Sequence, residues 1–293
     1  MKHPVLRCGY LAFIICDSQV TANPPLYIRL KGKKYSCEKM FEVQKVKLGS
    51  AGLEVSKLGI GPPTNLSPEE GGRLLIGSYE LGVSFWDTSD DYGTHPHIAS
   101  ALKYVPRKEV VISTKTYAKS GEEASESLKS SLKELDTDYL DIFLLHFVKS
   151  DWIDSCHQVL KEMKDLKTTG IVKAIGLSTH SVAVARKTAQ FEELDVIMAI
   201  CCKADQTLIN KFNELIPLED GSMREMFQAL KLAHDNGKGV VAMKVLGGET
   251  PQLIEKYREV IKGVAQLDFV DAMVIGMRSL DEVKKNVMVI ASS

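Results

Sequence analysis

From residue 45 to its end the chain repeats one unit: a short apolar run, then an amphipathic stretch with helical spacing. The runs fall at residues 58–60, 83–87, 110–115, 140–146, 172–178, 196–200, 240–246 and 272–275, eight in all. Runs apolar on both faces need cover on both faces, so strands alternating with helices imply a parallel sheet wrapped by helices. Helix starts are marked by a hydroxyl followed three residues later by glutamate: Ser67 with Glu70, Ser120 with Glu123, Ser222 with Glu225 and Ser279 with Glu282. Pro68 and Pro251 stand at first helical positions, where a missing N–H costs nothing. Gly82, Gly170 and Gly237 stop helices ahead of the next run. Eight such units predict an α/β protein, a closed (β/α)8 TIM barrel, with residues 45–56 (Gly49, Gly52) forming an N-terminal hairpin ahead of the first barrel strand. The rival is an open doubly wound sheet. It would need a glycine-rich turn leading into a helix, but Gly59-Ile60-Gly61 runs into Pro62-Pro63.

The 293 residues suit one barrel domain, expected over 45–293. With 37 Lys and Arg against 38 Asp and Glu, no basic surface for nucleic acid is expected. The six cysteines (Cys8, Cys16, Cys37, Cys156, Cys201, Cys202) show no CxxC or metal-ligand rhythm and read as reduced thiols of a cytoplasmic enzyme, with no metal. Residues 1–44 lack the later periodicity. A basic start (Lys2, His3, Arg7), an apolar stretch over 8–16 and the small residues Val20-Thr21-Ala22 leave two readings: an unstructured extension or start-site artefact, or a cleaved signal that would put the protein on the secretory route. The apolar stretch is too short to span a membrane, which takes about 20 residues, and no membrane or protein partner is expected beyond a monomer or weak oligomer.

Three runs end in chemistry. Asp87, Lys115 and His146 close consecutive strands, and Tyr92 follows within a turn of the first. Active sites of parallel barrels are built where strand ends meet, so these four converge. Singly, each has a bland reading: a cap, a solvated amine, a satisfied core histidine.

Five segments in order carry a resemblance. They are Gly82-Val83-Ser84-Phe85-Trp86-Asp87-Thr88-Ser89-Asp90-Asp91-Tyr92-Gly93, Ile112-Ser113-Thr114-Lys115, residues 138–146, residues 170–178 and Ile275-Gly276-Met277-Arg278-Ser279. With them, residues 45–290 resemble the aldo-keto reductase superfamily as a divergent member. The resemblance implies reduction of an aldehyde or ketone, a small-molecule carbonyl substrate, with NADPH giving the hydride and Tyr92 the proton. A phenol ordinarily titrates near pH 10, so an ammonium beside it, Lys115, is expected to lower that value, with Asp87 keeping Lys115 charged. His146 is expected to donate to the substrate oxygen, as in an oxyanion hole. The resemblance further implies cofactor contacts from Ser178, Thr179, Met243, Arg278, Ser279, Glu282 and Asn286. Arg278 beside the helix start at Ser279 suits the 2′-phosphate of NADP(H), and Glu282 and Asn286, one turn apart, suit the adenine.

The chain departs from the family around the nicotinamide. The usual Ser-Asn is Ser178-Thr179, the usual glutamine on the sixth strand has no counterpart in Ile197-Met198-Ala199-Ile200, Met243 stands where an aromatic often stacks, and the first strand ends in Gly61-Pro62-Pro63-Thr64. Trp86, Tyr117, Phe147 and Trp152 are candidates for lining a substrate pocket or for packing under loops. Residues 201–221 suit a partial lid or, more simply, a short helix packed on the barrel, and the chain's end soon after the eighth helix predicts an open pocket. Two alternatives stand beside the reductase: a nicotinamide-binding sensor with vestigial activity, and a lyase using Lys115 as a Schiff-base amine.

Overall fold

The computed structural model describes residues 43–247 and 254–293, and ahead of them the pairing of three short strands. Those strands, β1 (Phe13–Ile15), β2 (Tyr27–Leu30) and β3 (Lys33–Ser36), form an antiparallel sheet in chain order within a unit of their own, Met1–Glu42. The Val20-Thr21-Ala22 site expected of a signal, and Pro251, lie outside the described residues.

In the second unit, Val43–Ser293, the hairpin comes first: β4 (Lys45–Lys47) pairs antiparallel with β5 (Glu54–Ser56). Eight parallel strands follow: β6 (Leu58–Gly61), β7 (Phe85–Asp87), β8 (Val111–Thr116), β9 (Leu140–Leu145), β10 (Val172–Thr179), β11 (Val196–Ile200), β12 (Gly239–Met243) and β13 (Ala272–Gly276). They close into a barrel because β13 pairs with β6, Val274 opposite Gly59. Every expected strand is present, but β12 ends at Met243 rather than at 246, because Lys244 turns into the left-handed region at φ 57°.

The helix signals act as read. Ser67 and Glu70 form a reciprocal capping box with Pro68 in the first turn, and Ser120, Ser222 and Ser279 each accept the backbone N–H of the glutamate three residues on. Gly82, Gly170 and Gly237 take φ of 80–85°, a conformation that costs a side-chain-bearing residue about 1–2 kcal/mol. The segment 201–221 contains a helix, Gln206–Leu215, whose Leu208, Ile209 and Phe212 are buried, so the packed-helix expectation holds.

The hairpin plugs the barrel at the strands' N-terminal end. Leu48 is fully buried among Val55, Phe85, Ile142, Val196 and Val241. Ser50 N donates to Gly237 O at 2.8 Å and Gly49 N to Asp271 Oδ2 at 3.2 Å, both acceptors just ahead of a barrel strand. A Cβ on Gly49 would meet Gly239 N at 2.3 Å, so the turn touches backbone directly. With that end stoppered, chemistry is left to the C-terminal face. Among the described residues no helix is long and apolar enough to cross a membrane.

Candidate active site

Asp87 is the last residue of β7, Lys115 the last but one of β8, and His146 directly follows β9. The turn carrying Tyr92 is tied to the neighbouring strand: Thr88 N donates to Ser113 O at 2.9 Å, Asp90 N to Lys115 O at 3.1 Å, and Tyr92 N back to Ser89 O at 3.2 Å. The turn therefore has one placement, and it brings all four expected residues together.

Lys115 is 1% exposed, and its ammonium donates to Asp87 Oδ2 at 2.7 Å and to Thr88 O at 2.6 Å. It lies 5.1 Å from the centre of the Tyr92 ring. The Tyr92 hydroxyl sits 3.3 Å from His146 Nε2, with the two rings edge to face, and the Tyr117 ring packs tilted against the imidazole at 4.4 Å. On the ring's far nitrogen, Nδ1, Ser89 Oγ approaches to 2.9 Å and Asp91 Oδ1 to 3.6 Å. An ion-paired amine with two acceptors is a poor nucleophile, which weighs against a Schiff base at Lys115.

Burial dominates the electrostatics. It drives the His146 imidazole down to about 4, helped by the Lys115 charge and opposed by Asp91, so the ring is neutral at pH 7. Burial also raises the Asp87 carboxyl, against the pull of Lys115. The expectation that Lys115 lowers the Tyr92 phenol is reversed. Burial raises it, and Asp87, Asp91 and Tyr117 add to the rise. The physical reason is burial first; the Lys115 charge is partly balanced by Asp87 at 2.7 Å, so the field it leaves at the phenol does not offset that burial. Tyr92 thus holds its proton firmly.

The proposed cofactor residues divide into two groups. Near the site, Ser178 Oγ accepts Phe147 N at 2.9 Å; Thr179 Oγ1 donates to Val148 O at 2.7 Å and accepts Ser181 N at 2.9 Å. Both residues are fully buried, and these bonds use the donor of Thr179. Met243 is partly buried at the end of β12. At the rim, Ser279 caps the helix Leu280–Ala291, exposed Arg278 precedes it, and Arg278 N donates to Glu282 Oε2 at 2.7 Å. Asn286 is buried on the same helix. Four features escaped the sequence. Ser89 lay inside a quoted motif. Phe147 adopts φ 53° without being glycine, and His180 packs edge to face on it at 4.7 Å. Exposed Lys244 carries a charge that reaches Asp87, His146 and His180. A non-glycine left-handed residue leaves no mark in a sequence.

Beside the tetrad a cavity of about 530 Å³ is lined by Tyr117, Lys119, Phe147, Lys149, Asp151 and Trp152. Trp86 is fully buried, its Nε1–H donating to Val83 O, and so packs rather than lines a pocket. Among the described residues no group of His, Cys, Asp and Glu could hold a metal.

Residues 46–259 match the family model described as "Aldo/keto reductase family". A Glycine max protein named "Probable aldo-keto reductase 1" is 30% identical over 223 residues, 68% of this chain and 63% of its own. The "NADH-specific methylglyoxal reductase" of Escherichia coli (strain K12) is 25% identical over 224 residues, 64% of this chain and 68% of its own. The chain thus spans under two thirds of the Glycine max relative. Among solved structures, the holo form of aldo-keto reductase AKR11C1 from Bacillus halodurans superposes with a TM-score of 0.68 at 22% identity, covering 85% of this chain and 91% of that one, a likeness of fold.

Proposed function

The chain belongs to the aldo/keto reductase family, and from that premise we propose that it reduces a small aldehyde or ketone with NADPH, Tyr92 acting as the general acid. The observation that carries this reading is the meeting of the Tyr92 hydroxyl and His146 Nε2, 3.3 Å apart, above the buried Asp87–Lys115 pair. Two polar hydrogens converging there suit one carbonyl oxygen.

When bound, the nicotinamide supplies a hydride to the carbonyl carbon. Tyr92 transfers its proton to the oxygen, which leaves an alcohol and a phenolate. The Lys115 ammonium, over the Tyr92 ring, stabilises that phenolate until solvent restores the proton. Asp87 keeps Lys115 in place, and neutral His146 orients the oxygen. For the cofactor, Arg278 and the helix start at Ser279 suit a phosphate, and Glu282 and Asn286 suit the adenine. Ser178, Thr179 and Met243 would border the nicotinamide. The fit is weak here, because the Thr179 hydroxyl is already bonded on both sides. That same engagement favours a second reading, a nicotinamide-binding sensor with vestigial activity.

The test follows NADPH and NADH absorbance with methylglyoxal and a panel of aldehydes. We expect oxidation by the wild type, and its loss in Tyr92→Phe with cofactor affinity within about twofold of the wild type. Tight NADPH binding with no oxidation of any substrate would favour the sensor. Because the Escherichia coli relative is named NADH-specific, Arg278→Ala tests the coenzyme: KM for NADPH should rise about tenfold, with NADH unaffected.

A further inference from the structure

We propose that Ser89 is a positioning residue: its hydroxyl donates to His146 Nδ1 and holds the imidazole as the Nε2–H tautomer, its one proton aimed at the substrate oxygen. The proposal rests on the reading of His146 as a donor to that oxygen. A neutral imidazole has a single N–H, and the partner of one nitrogen decides where the proton sits. At Nδ1 there are two contenders. Ser89 Oγ, fully buried, lies 2.9 Å away; Asp91 Oδ1 lies 3.6 Å away on a side chain about half exposed. A carboxylate only accepts, so Asp91 pulls the proton onto Nδ1, whereas a hydroxyl serves either tautomer.

The surroundings of Ser89 decide its direction. If Ser89 accepted from Nδ1, its own proton would have to go to Lys115 O, the other acceptor in reach. That carbonyl is 3.4 Å away and already accepts Asp90 N at 3.1 Å. The bond to Nδ1 is half an ångström shorter, at 2.9 Å. Ser89 therefore donates to Nδ1, and Nε2 carries the proton. The alternative tautomer would harm the reaction as proposed: Nε2, 3.3 Å from the Tyr92 hydroxyl, would become an acceptor and take the phenol proton away from the substrate.

The test reads the tautomer directly. Full-length protein labelled with 15N-histidine is examined by NMR without cofactor or substrate at pH 7.5, and the His146 signals are identified by their loss in His146→Gln. In the wild type, Nε2 should be the protonated nitrogen. Ser89→Ala should shift protonation toward Nδ1, and Ser89→Cys, of similar size but a weaker donor, should fall between. Carbonyl reduction should follow, with kcat about tenfold lower in Ser89→Ala, the worth of one hydrogen bond, and cofactor affinity unchanged. A protonated Nδ1 in the wild type overturns the proposal, even if neither variant folds, and so does an unmoved tautomer in Ser89→Ala. Because the spectrum needs no turnover, a protein that oxidises no NADPH defeats the reductase reading without touching this result.

Discussion

Replacing Lys115 with methionine isolates what the buried ion pair does. The substitution keeps the side chain's length and removes its charge, leaving Asp87 7% exposed with no cation in hydrogen-bond reach. One of its oxygens, Oδ1, already lacks a hydrogen-bond partner. A lone carboxylate there will take up a proton. Burial already raises this carboxyl and Lys115 is the first opposing influence, so its loss sends the value further up. The magnitude follows from linkage. The unfolded chain has Asp87 at its ordinary 3.8, so keeping it neutral in the folded variant costs about 1.4 kcal/mol for each pH unit above that value. At pH 7 the cost approaches about 4 kcal/mol, and at pH 5 only about 1.6 kcal/mol. The sign is that of a raised carboxyl: stability is full below pH 3.8 and is lost as pH rises toward the folded value. In the wild type Lys115 opposes the rise, so this dependence is smaller. Urea denaturation of both proteins at pH 7 and pH 5 should show the gap between them closing by up to about 2–3 kcal/mol. A gap that stays the same would mean Asp87 remains charged without Lys115, and the buried-charge reasoning would be wrong.

His146 and His180 are both pushed down to about 4, by burial first, from an ordinary 6.5. Stability should be complete above pH 6.5 and fall as pH drops toward 4, by about 2–3 kcal/mol per histidine after allowing for partial exposure; a flat melting temperature over that range would contradict this, and His180→Gln should remove about half the slope. Gly49→Ala should destabilise by on the order of 3 kcal/mol, since the new Cβ falls 2.3 Å from Gly239 N at φ 49°. A loss under about 1 kcal/mol in chemical denaturation would show that the plug yields easily.

The barrel was legible because each of its signals is local. Apolar runs fix strands, and caps such as Ser67 with Glu70 fix helix starts from residues three apart. The tetrad was legible for a related reason: Asp87, Lys115 and His146 end strands that lie side by side, β7 with β8 and β8 with β9, so order in sequence becomes proximity in space. Charge balance was not legible. Whether Lys115 acts on Tyr92 or is spent on Asp87 depends on a 2.7 Å distance that no spacing encodes. Nor could the sequence show that Trp86, next to Asp87, points into the core while Trp152 lines the cavity.

The hydroxyls of Ser178 and Thr179 have a different claim on them from the one their positions imply. Phe147, the residue after His146, sits in the left-handed region at a cost of about 1–2 kcal/mol. Ser178 Oγ accepts its N–H, Val148 N donates to Ser178 O, and Thr179 Oγ1 donates to Val148 O. Three bonds worth about 1 kcal/mol each offset that strain. They also fix where β9 turns, and hence where the His146 ring hangs beside Tyr92. In this chain the strand β10 end therefore serves the tetrad through the backbone, and a planar asparagine amide at 179 could not both donate to Val148 O and accept Ser181 N from a single atom as the hydroxyl does. The departure from the family's Ser-Asn and the left-handed turn at Phe147 are thus two sides of one local solution.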